Sequence, residues 1–153
     1  CYILSMLRLT KRSEYGLMAL AFMAQSGQAY TSVREIVAKL RIPRRLLAEV
    51  LKDLSFSEIV EAVRGPGGGY RLTCPAEELS LARVVEVLEG AGTVAQCTDG
   101  SRCDLSPSCT IQEGINLVAQ RVKSVLNDFT LAELSDCTTP RPQPVSLAQG
   151  LAV

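Results

Sequence analysis

The sequence contains no histidine, the residue that most often serves as a general base and as a nitrogen ligand for metals. It has no run of about eighteen apolar residues, so it predicts no membrane-spanning helix. Residues 1–5 are apolar but lack a basic flank and a cleavage site, unlike a signal peptide. We therefore expect a cytoplasmic protein with Met6 as a candidate start, and the missing histidine argues against an enzyme.

The net charge of zero conceals an uneven distribution of charge along the chain. Residues 8–71 hold eleven Lys or Arg against six Asp or Glu, whereas residues 72–153 hold five against ten. A basic half is typical of a nucleic-acid binder. Chance clustering on a solvated surface would produce the same counts, so the order of secondary-structure elements has to decide between them.

The basic half begins with a predicted helix. Thr10 is a candidate cap, the helix is expected to run to about Gln25, and Gly27 ends it. Its expected apolar stripe consists of Tyr15, Met18, Ala19, Phe22 and Met23.

Two short helices joined by a tight turn follow. Ser32 and Glu35 have the spacing of a capping box at the start of the first, and residues 41–43 form the turn. The second is predicted over residues 44–54, with Leu47, Val50, Leu51 and Leu54 buried. This order predicts a helix-turn-helix, in which the N-terminal end of the second helix meets base edges in the major groove.

The outer side of the second helix is charged, with Arg44, Arg45, Glu49 and Lys52. The three basic residues are candidate DNA contacts, together with Arg34 on the preceding helix. The alternative is an ordinary solvated helix face.

A β-hairpin is predicted next, with strands at residues 59–64 and 70–72 around Gly65-Pro66-Gly67-Gly68-Gly69. Glycines permit positive φ and let backbone N–H groups approach a phosphate or a groove floor. Arg64 and Arg71 flank the turn, and the hairpin is interpreted as a wing, with Arg64, Gly67, Gly68 and Tyr70 as candidate DNA contacts. A nucleotide-binding loop is disfavoured because no Gly-Lys-Ser/Thr and no helix follow the glycines.

Cys97, Cys103 and Cys109 are separated by five residues each, in a segment rich in Gly, Pro, Ser and Asp that is expected to be a loop. Thiolates favour iron–sulfur clusters, zinc or copper(I). Zinc sites usually contain cysteine pairs two to four residues apart, and the sequence has none. A cluster usually has four protein ligands, so one position is left open. The alternatives are three reduced thiols, or one disulfide and a spare thiol. The remaining cysteines (Cys1, Cys74, Cys137) are expected to be free.

The acidic half predicts three more helices. Ser80 caps one over residues 81–89, which Gly90 ends, and Thr130 and Glu133 form a capping box on a short last helix. Between them, a long helix from Thr110 to about Asn127 carries an apolar stripe: Ile111, Ile115, Val118, Val122, Val125 and Leu126. This stripe favours a dimer interface, although the helix could instead pack on its own chain.

The predicted fold class is mostly α with a small β-hairpin. A winged helix-turn-helix domain over residues 6–80 is followed by the cysteine loop and a long dimerisation helix over residues 81–135. Residues 136–153 are expected to form a disordered tail.

Leu9-Thr10-Lys11, the phrase Val63-Arg-Gly-Pro-Gly-Gly-Gly-Tyr70 and the three cysteines together resemble the IscR/NsrR family of bacterial regulators. The resemblance implies a dimeric repressor or activator, joined through the long helix, with an iron–sulfur cluster controlling its binding to double-stranded DNA. It places Arg44 and Arg45 in the major groove and Arg64 in the minor groove, with Lys11 at the backbone. A two-fold dimer would need a two-fold symmetric site.

The fourth cluster ligand departs from one branch of that family. The IscR branch has a histidine where this chain has Gln112, whose neutral amide is a poor iron ligand. The NsrR branch uses a carboxylate of the partner subunit near the start of the first helix, and Glu14 stands at that position. Glu113, Asp99 and Asp104 are local competitors.

Three alternatives stay open. The cluster could have two or four irons. The protein could be a cluster-free or zinc-bound, thiol-responsive regulator of the same fold. A small redox carrier is disfavoured, because a basic helix-turn-helix has no purpose there.

Overall fold

The computed structural model describes residues 9–90 and 108–136. These residues form six helices and one hairpin: α1 (Lys11–Ser26), α2 (Val33–Leu40), α3 (Arg44–Phe56), β1 (Val60–Val63), β2 (Gly69–Leu72), α4 (Leu81–Glu89), α5 (Gln112–Asp128) and α6 (Leu131–Ser135). The helical fold with one small hairpin confirms the predicted class. None of the described helices combines the length and hydropathy needed to cross a membrane.

Helix α1 begins and ends where its sequence predicts. The Thr10 side chain accepts a hydrogen bond from the Ser13 N–H, and Gly27 ends the helix with a left-handed φ of 61°. The predicted stripe is wrong for Met18, whose exposed fraction is 42%. The other four members are correct, since Ala19 and Met23 are buried and Tyr15 and Phe22 pack against the core. Gly16 is buried on the same side, where the missing side chain lets α3 and α4 come close to the backbone.

The helix-turn-helix is confirmed. Ser32 caps α2 by accepting from the Glu35 N–H, and Arg41 ends it in the left-handed region with φ 55°. Pro43 lies just before α3. The four side chains of α3 that were predicted to be buried lie in the core: Leu47, Val50, Leu51 and Leu54.

Strands β1 and β2 pair antiparallel, from Val60 opposite Leu72 to Val63 opposite Gly69. The connecting turn is closed by a hydrogen bond of 3.0 Å from the Gly68 N–H to the Gly65 carbonyl. Pro66 and then Gly67, at φ 75°, occupy its two central positions, as expected of a type II turn. The wing turn is therefore built by its own residue types.

One hydrophobic core runs through α1, α3 and α4 and continues into α6, where Leu131 is fully buried. The N–H of Leu131 donates to the Leu79 carbonyl at 2.8 Å, and the predicted Thr130–Glu133 capping box is present. The core thus crosses residue 80, and the division into two domains there stays a prediction. The predicted tail from residue 137 onward lies outside the described residues.

Helix α5 matches the predicted long helix, but none of its residues is buried. Its only extensive packing among the described elements is on α4, where the Lys123 ammonium lies 3.4 Å from the Glu86 carboxylate. Half of the stripe is therefore exposed in the single chain, at Ile111, Val118 and Val125, and the other three members are half-buried.

We predict that Gly16→Ala lowers the free energy of unfolding by about 1–2 kcal/mol, because overpacking outweighs the gain in helix propensity. A Cβ at this position would lie 2.4 Å from Leu88 Cδ1 and 3.3 Å from Val50 Cγ1, both on buried side chains. The measurement is chemical denaturation of both proteins.

Gly114→Ala is the matched control, because a Cβ at Gly114 in α5 meets no atom within 4 Å. It should stabilise by about 0.5–1 kcal/mol through helix propensity alone. Equal effects of the two substitutions would contradict the assigned close contact.

Candidate nucleic-acid interface and metal centre

The outward side of α3 is polar and accessible. Arg44, Arg45, Glu49 and Lys52 are all exposed, while the other side of the helix is buried in the core. The exposed fraction of the Arg45 side chain is 94%. The fold therefore places the predicted contact residues on one solvent-facing surface, which starts at the N-terminal end of α3.

Most of these cations are available to a polyanion. The Arg45 Nε lies 3.5 Å from the Glu49 carboxylate, one turn along the helix, in an exposed pair of little net worth. Within the described residues, Arg44 and Lys52 form no ion pair, and neither does the exposed Arg34 on α2. A phosphate can replace Glu49 at little cost, so the surface is suited to an anionic partner.

The two arginines of the wing differ in their surroundings. Arg64 is exposed next to the glycine turn and forms no ion pair within the described part of the chain. Arg71, which faces Glu61 across the hairpin, is paired with that carboxylate. Tyr70 is half-buried against the core. Of the two wing arginines, Arg64 is thus the one whose charge has no partner within the described residues, and its contact with DNA stays a prediction.

The wing glycines do different work. Gly67 is exposed at the tip, and a Cβ there would meet no atom within 4 Å, although its φ of 75° disfavours other residues. A Cβ on Gly68 would lie 2.3 Å from the Val63 carbonyl oxygen. Gly68 is therefore required by the turn itself, whether or not it approaches DNA.

The first turn of α1 holds two predicted site residues. The Lys11 ammonium is paired with the Glu14 carboxylate and lies 5.9 Å from the centroid of the Tyr15 ring. The side chain of Glu14 is 40% exposed. Glu14 would have to leave Lys11 to bind a metal.

Only part of the predicted metal centre can be located. Cys97 and Cys103 lie outside the described residues, as do Asp99, Asp104, Cys1 and Cys137. Cys109 is a half-buried free thiol shortly before α5, and Cys74 is a second half-buried thiol packed on the core. Gln112 and Glu113 open α5. The described residues contain no group of three or more potential metal-binding side chains, so the ligand set stays a prediction.

Two contacts of the first turn of α1 were not predicted from sequence. The Thr10 N–H donates to the Glu89 carboxylate at 2.7 Å, and Arg12 is paired with Asp53 of α3. Ser13, between them, is fully buried, and its hydroxyl has no hydrogen-bond partner within the described residues. The partners are 79 and 41 residues apart, so no local sequence signal could have indicated them.

The whole described part of the chain matches one protein family. Residues 9–136 match the profile of Rrf2, described as an iron-dependent transcriptional regulator. The chain belongs to the Rrf2 family. It is a DNA-binding transcriptional regulator and not an enzyme. The resemblance inferred from the wing phrase and the cysteines is confirmed.

Individual relatives agree with this assignment. The HTH-type transcriptional regulator NsrR of Oceanobacillus iheyensis is 30% identical over 131 residues, covering 84% of this chain and 89% of that protein. The structure of CymR, the global cysteine regulator of B. subtilis, is similar with a TM-score of 0.69 at 24% identity, covering 88% of this chain and 100% of that chain. IscR of T. potens has a TM-score of 0.66 at 23% identity, with 84% and 85% covered. The two structures share the fold of this Rrf2 chain.

We predict that Arg45→Ala weakens specific DNA binding by about 1–3 kcal/mol if Arg45 contacts a base edge. If it contacts only phosphate, affinity should fall similarly on all sequences, and the slope of log K against log salt should drop by about one. Fluorescence anisotropy at several salt concentrations separates the two.

Lys123→Ala is the control, because it removes the same charge from an exposed ion pair between α5 and α4, away from α3 and the wing. It should leave DNA affinity unchanged. Wild-type affinity and salt dependence of the Arg45 variant would contradict α3 as the recognition helix.

Proposed function

We propose that this Rrf2 protein is a homodimeric regulator that binds a two-fold symmetric DNA site under the control of an iron–sulfur cluster. The proposed ligands are Cys97, Cys103 and Cys109 of one subunit and Glu14 of the partner subunit. Matched half-sites follow from one exposed α3 per subunit. The observation that carries the proposal is that a chain with an exposed basic α3 and three evenly spaced cysteines matches a family described as iron-dependent.

The exposed apolar face of α5 supports the dimer. Ile111, Val118 and Val125 recur at intervals of seven residues, and their exposed fractions are 64%, 49% and 52%. Residues at this spacing lie on one side of a helix, where a second copy of the same helix can cover them. The neighbouring Leu117 is also exposed. We therefore expect a second copy of the chain to cover this apolar face.

The donor residues that the structure describes fit an iron–sulfur centre. The Cys109 thiol is half-buried and free, as a cluster ligand must be before assembly. Glu14 is held by an exposed lysine, in a pair that a metal can replace. A carboxylate exchanges from iron more readily than a thiolate, which suits a sensor. When bound, the cluster would supply a centre that responds to iron supply, nitric oxide or oxidants.

The first turn of α1 connects the proposed ligand with the recognition helix. Arg12, two residues before Glu14, is paired with Asp53 on α3. Thr10 is bonded to Glu89 at the end of α4, which leads into the segment carrying Cys97. If a cluster held by the partner subunit's cysteines bound Glu14, a displacement of Glu14 would therefore act on the first turn of α1, which contacts α3 through Arg12 and Asp53. Small shifts matter because both recognition helices must fit half-sites about one DNA turn apart.

A second candidate is a cluster-free or zinc-bound, thiol-responsive regulator. One observation favours it: the same fold is used by CymR, a cysteine regulator. The discriminating experiment is the absorption spectrum of anaerobically purified protein, with assays of iron, sulfide and zinc. Visible charge-transfer bands with iron and sulfide support the cluster, whereas a colourless protein with or without zinc supports the alternative.

We predict that Val118→Glu converts the dimer into a monomer, because the charge would be buried without a partner at the subunit interface. Its folding should be little affected, since Val118 is half-exposed in the single chain. Sedimentation velocity reports the mass, and circular dichroism reports the fold.

Gln120→Glu introduces the same residue two positions away, on the far side of the helix. This control variant should remain dimeric. A dimeric Val118 variant would place the interface elsewhere.

We predict that replacing Cys97, Cys103 or Cys109 with Ala abolishes or strongly destabilises the cluster, and that Glu14→Ala leaves a more labile one with an altered spectrum. Each substitution removes a ligand, but a carboxylate site can be filled by solvent. Anaerobic absorption spectra and the rate of cluster loss on exposure to air are the measurements.

Cys74→Ala removes a thiol outside the triplet and should keep the native spectrum. If Glu113→Ala alters the cluster while Glu14→Ala does not, the fourth ligand is local and the coupling between subunits has no basis.

A further inference from the structure

The wing is held at two places along its length. At its base, the Ile59 N–H donates to the Leu54 carbonyl of α3 at 2.9 Å, and the Thr73 N–H donates to the Ile59 carbonyl at 3.1 Å. Nearer the tip, Thr31 and Tyr70 exchange two backbone hydrogen bonds of 2.8 and 2.9 Å. Thr31 directly precedes Ser32, the cap of α2. The second attachment therefore joins the wing to the start of the helix-turn-helix.

Close packing sets the position of this second attachment. A Cβ on Gly69 would lie 2.3 Å from the Thr31 carbonyl oxygen. Thr31 is buried, and its hydroxyl is 3.2 Å from the Ser26 hydroxyl at the end of α1. The backbone of β2 can thus approach residue 31 only because position 69 has no side chain.

Three side chains fasten the outer face of the same junction. The Tyr30 hydroxyl donates to Glu61 Oε1 at 3.1 Å, and Arg71 is paired with the same carboxylate. The Arg71 guanidinium also lies over the Tyr30 ring, 5.0 Å from its centroid. Each member of this Tyr30–Glu61–Arg71 cluster therefore contacts the other two, and the cluster joins the loop before α2 to both strands of the wing.

We infer that Tyr30, Glu61 and Arg71 are positioning residues that set the angle of the wing relative to the recognition helix. Arg71 is the wing cation that does not bind DNA, because its charge is matched by Glu61 and its guanidinium lies over the Tyr30 ring. Arg64 is the wing cation left for DNA, and its reach depends on the cluster. This inference rests on DNA binding by the winged helix-turn-helix and is independent of any metal.

The position of the wing has a direct consequence for recognition. Without the cluster, the wing would keep its backbone bonds to Thr31 but lose the side-chain contacts on its outer face, so it would sample a wider range of angles that binding would have to restrict. An ordered wing binds with a smaller entropic loss. Weakening the cluster should therefore reduce affinity without removing a phosphate contact.

The test compares Arg71→Ala with Arg64→Ala by fluorescence anisotropy on one operator over a range of salt concentrations. Arg64→Ala should lower the salt slope by about one, as expected when a phosphate or groove cation is lost. Arg71→Ala should weaken binding about two- to tenfold, the scale of a net hydrogen bond, with the salt slope unchanged. An equal fall in slope for both variants, or native affinity of Arg71→Ala, would overturn the inference.

Glu61→Ala gives a test of opposite sign. Removing an acidic residue near the DNA-binding surface and releasing Arg71 should strengthen binding on electrostatic grounds alone. The positioning role predicts weaker binding, and effects of the Glu61 and Arg71 substitutions that are not additive in the double variant. Tighter or unchanged binding by Glu61→Ala would overturn the inference.

Tyr30→Phe removes only the hydroxyl and keeps the ring under Arg71. It therefore serves as a control that distinguishes loss of the hydrogen bond from a general loss of folding. It should retain the native circular dichroism and melting temperature and show a smaller loss of affinity than Tyr30→Ala. Equal affinities of wild type, Tyr30→Phe and Tyr30→Ala would exclude the role. If no variant and no wild-type protein bound DNA, the family function itself would fail, which is a distinguishable result.

Discussion

The close contact of α1 with α3 and α4 is the constraint on which the rest of the fold depends. Gly16 removes the side chain at the crossing point, so that Leu88 and Val50 can pack directly on the α1 backbone. Because of this contact, the helix-turn-helix and the elements that follow it share one hydrophobic core. Leu131 of α6 completes that core from the far end of the described chain. Helix α1 is therefore packed against both α3 and α4.

The exposed cations and the paired arginines lie in different parts of the fold. Cations on α3 and at the wing tip face solvent, where a phosphate backbone can meet them. Among the described residues, the ion pairs that join separate elements lie elsewhere, at Arg12 and Asp53, at Arg71 and Glu61, and at Lys123 and Glu86. Exposed pairs contribute little to stability, so these pairs are of interest mainly for the elements that they link. Net charge alone would not separate the two kinds of arginine.

The same first turn of α1 serves the proposed sensing and the reading of DNA. Glu14 is the proposed ligand, Arg12 contacts the recognition helix, and Thr10 contacts the end of α4. The structure of CymR, described as a cysteine regulator, has the same fold. Under the proposed mechanism, the signal would depend on the ligand residues, and its effect on DNA binding would pass through the core that α1 shares with α3 and α4.

The sequence by itself determined the features that depend on neighbouring residues. The caps at Thr10, Ser32, Ser80 and Thr130, the turn at Pro66 and Gly67, and the buried side of α3 all follow from local spacing. Only the tertiary structure decided that Gly16 lies in the buried side of α1 and that Met18 does not, because Gly16 is small rather than apolar and Met18 is apolar but exposed. The pairs Thr10–Glu89, Arg12–Asp53 and Tyr30–Glu61 were likewise decided by the fold, since their members are 79, 41 and 31 residues apart. Periodicity within one element carries no information about such partners, which meet only when separate elements pack on the same core.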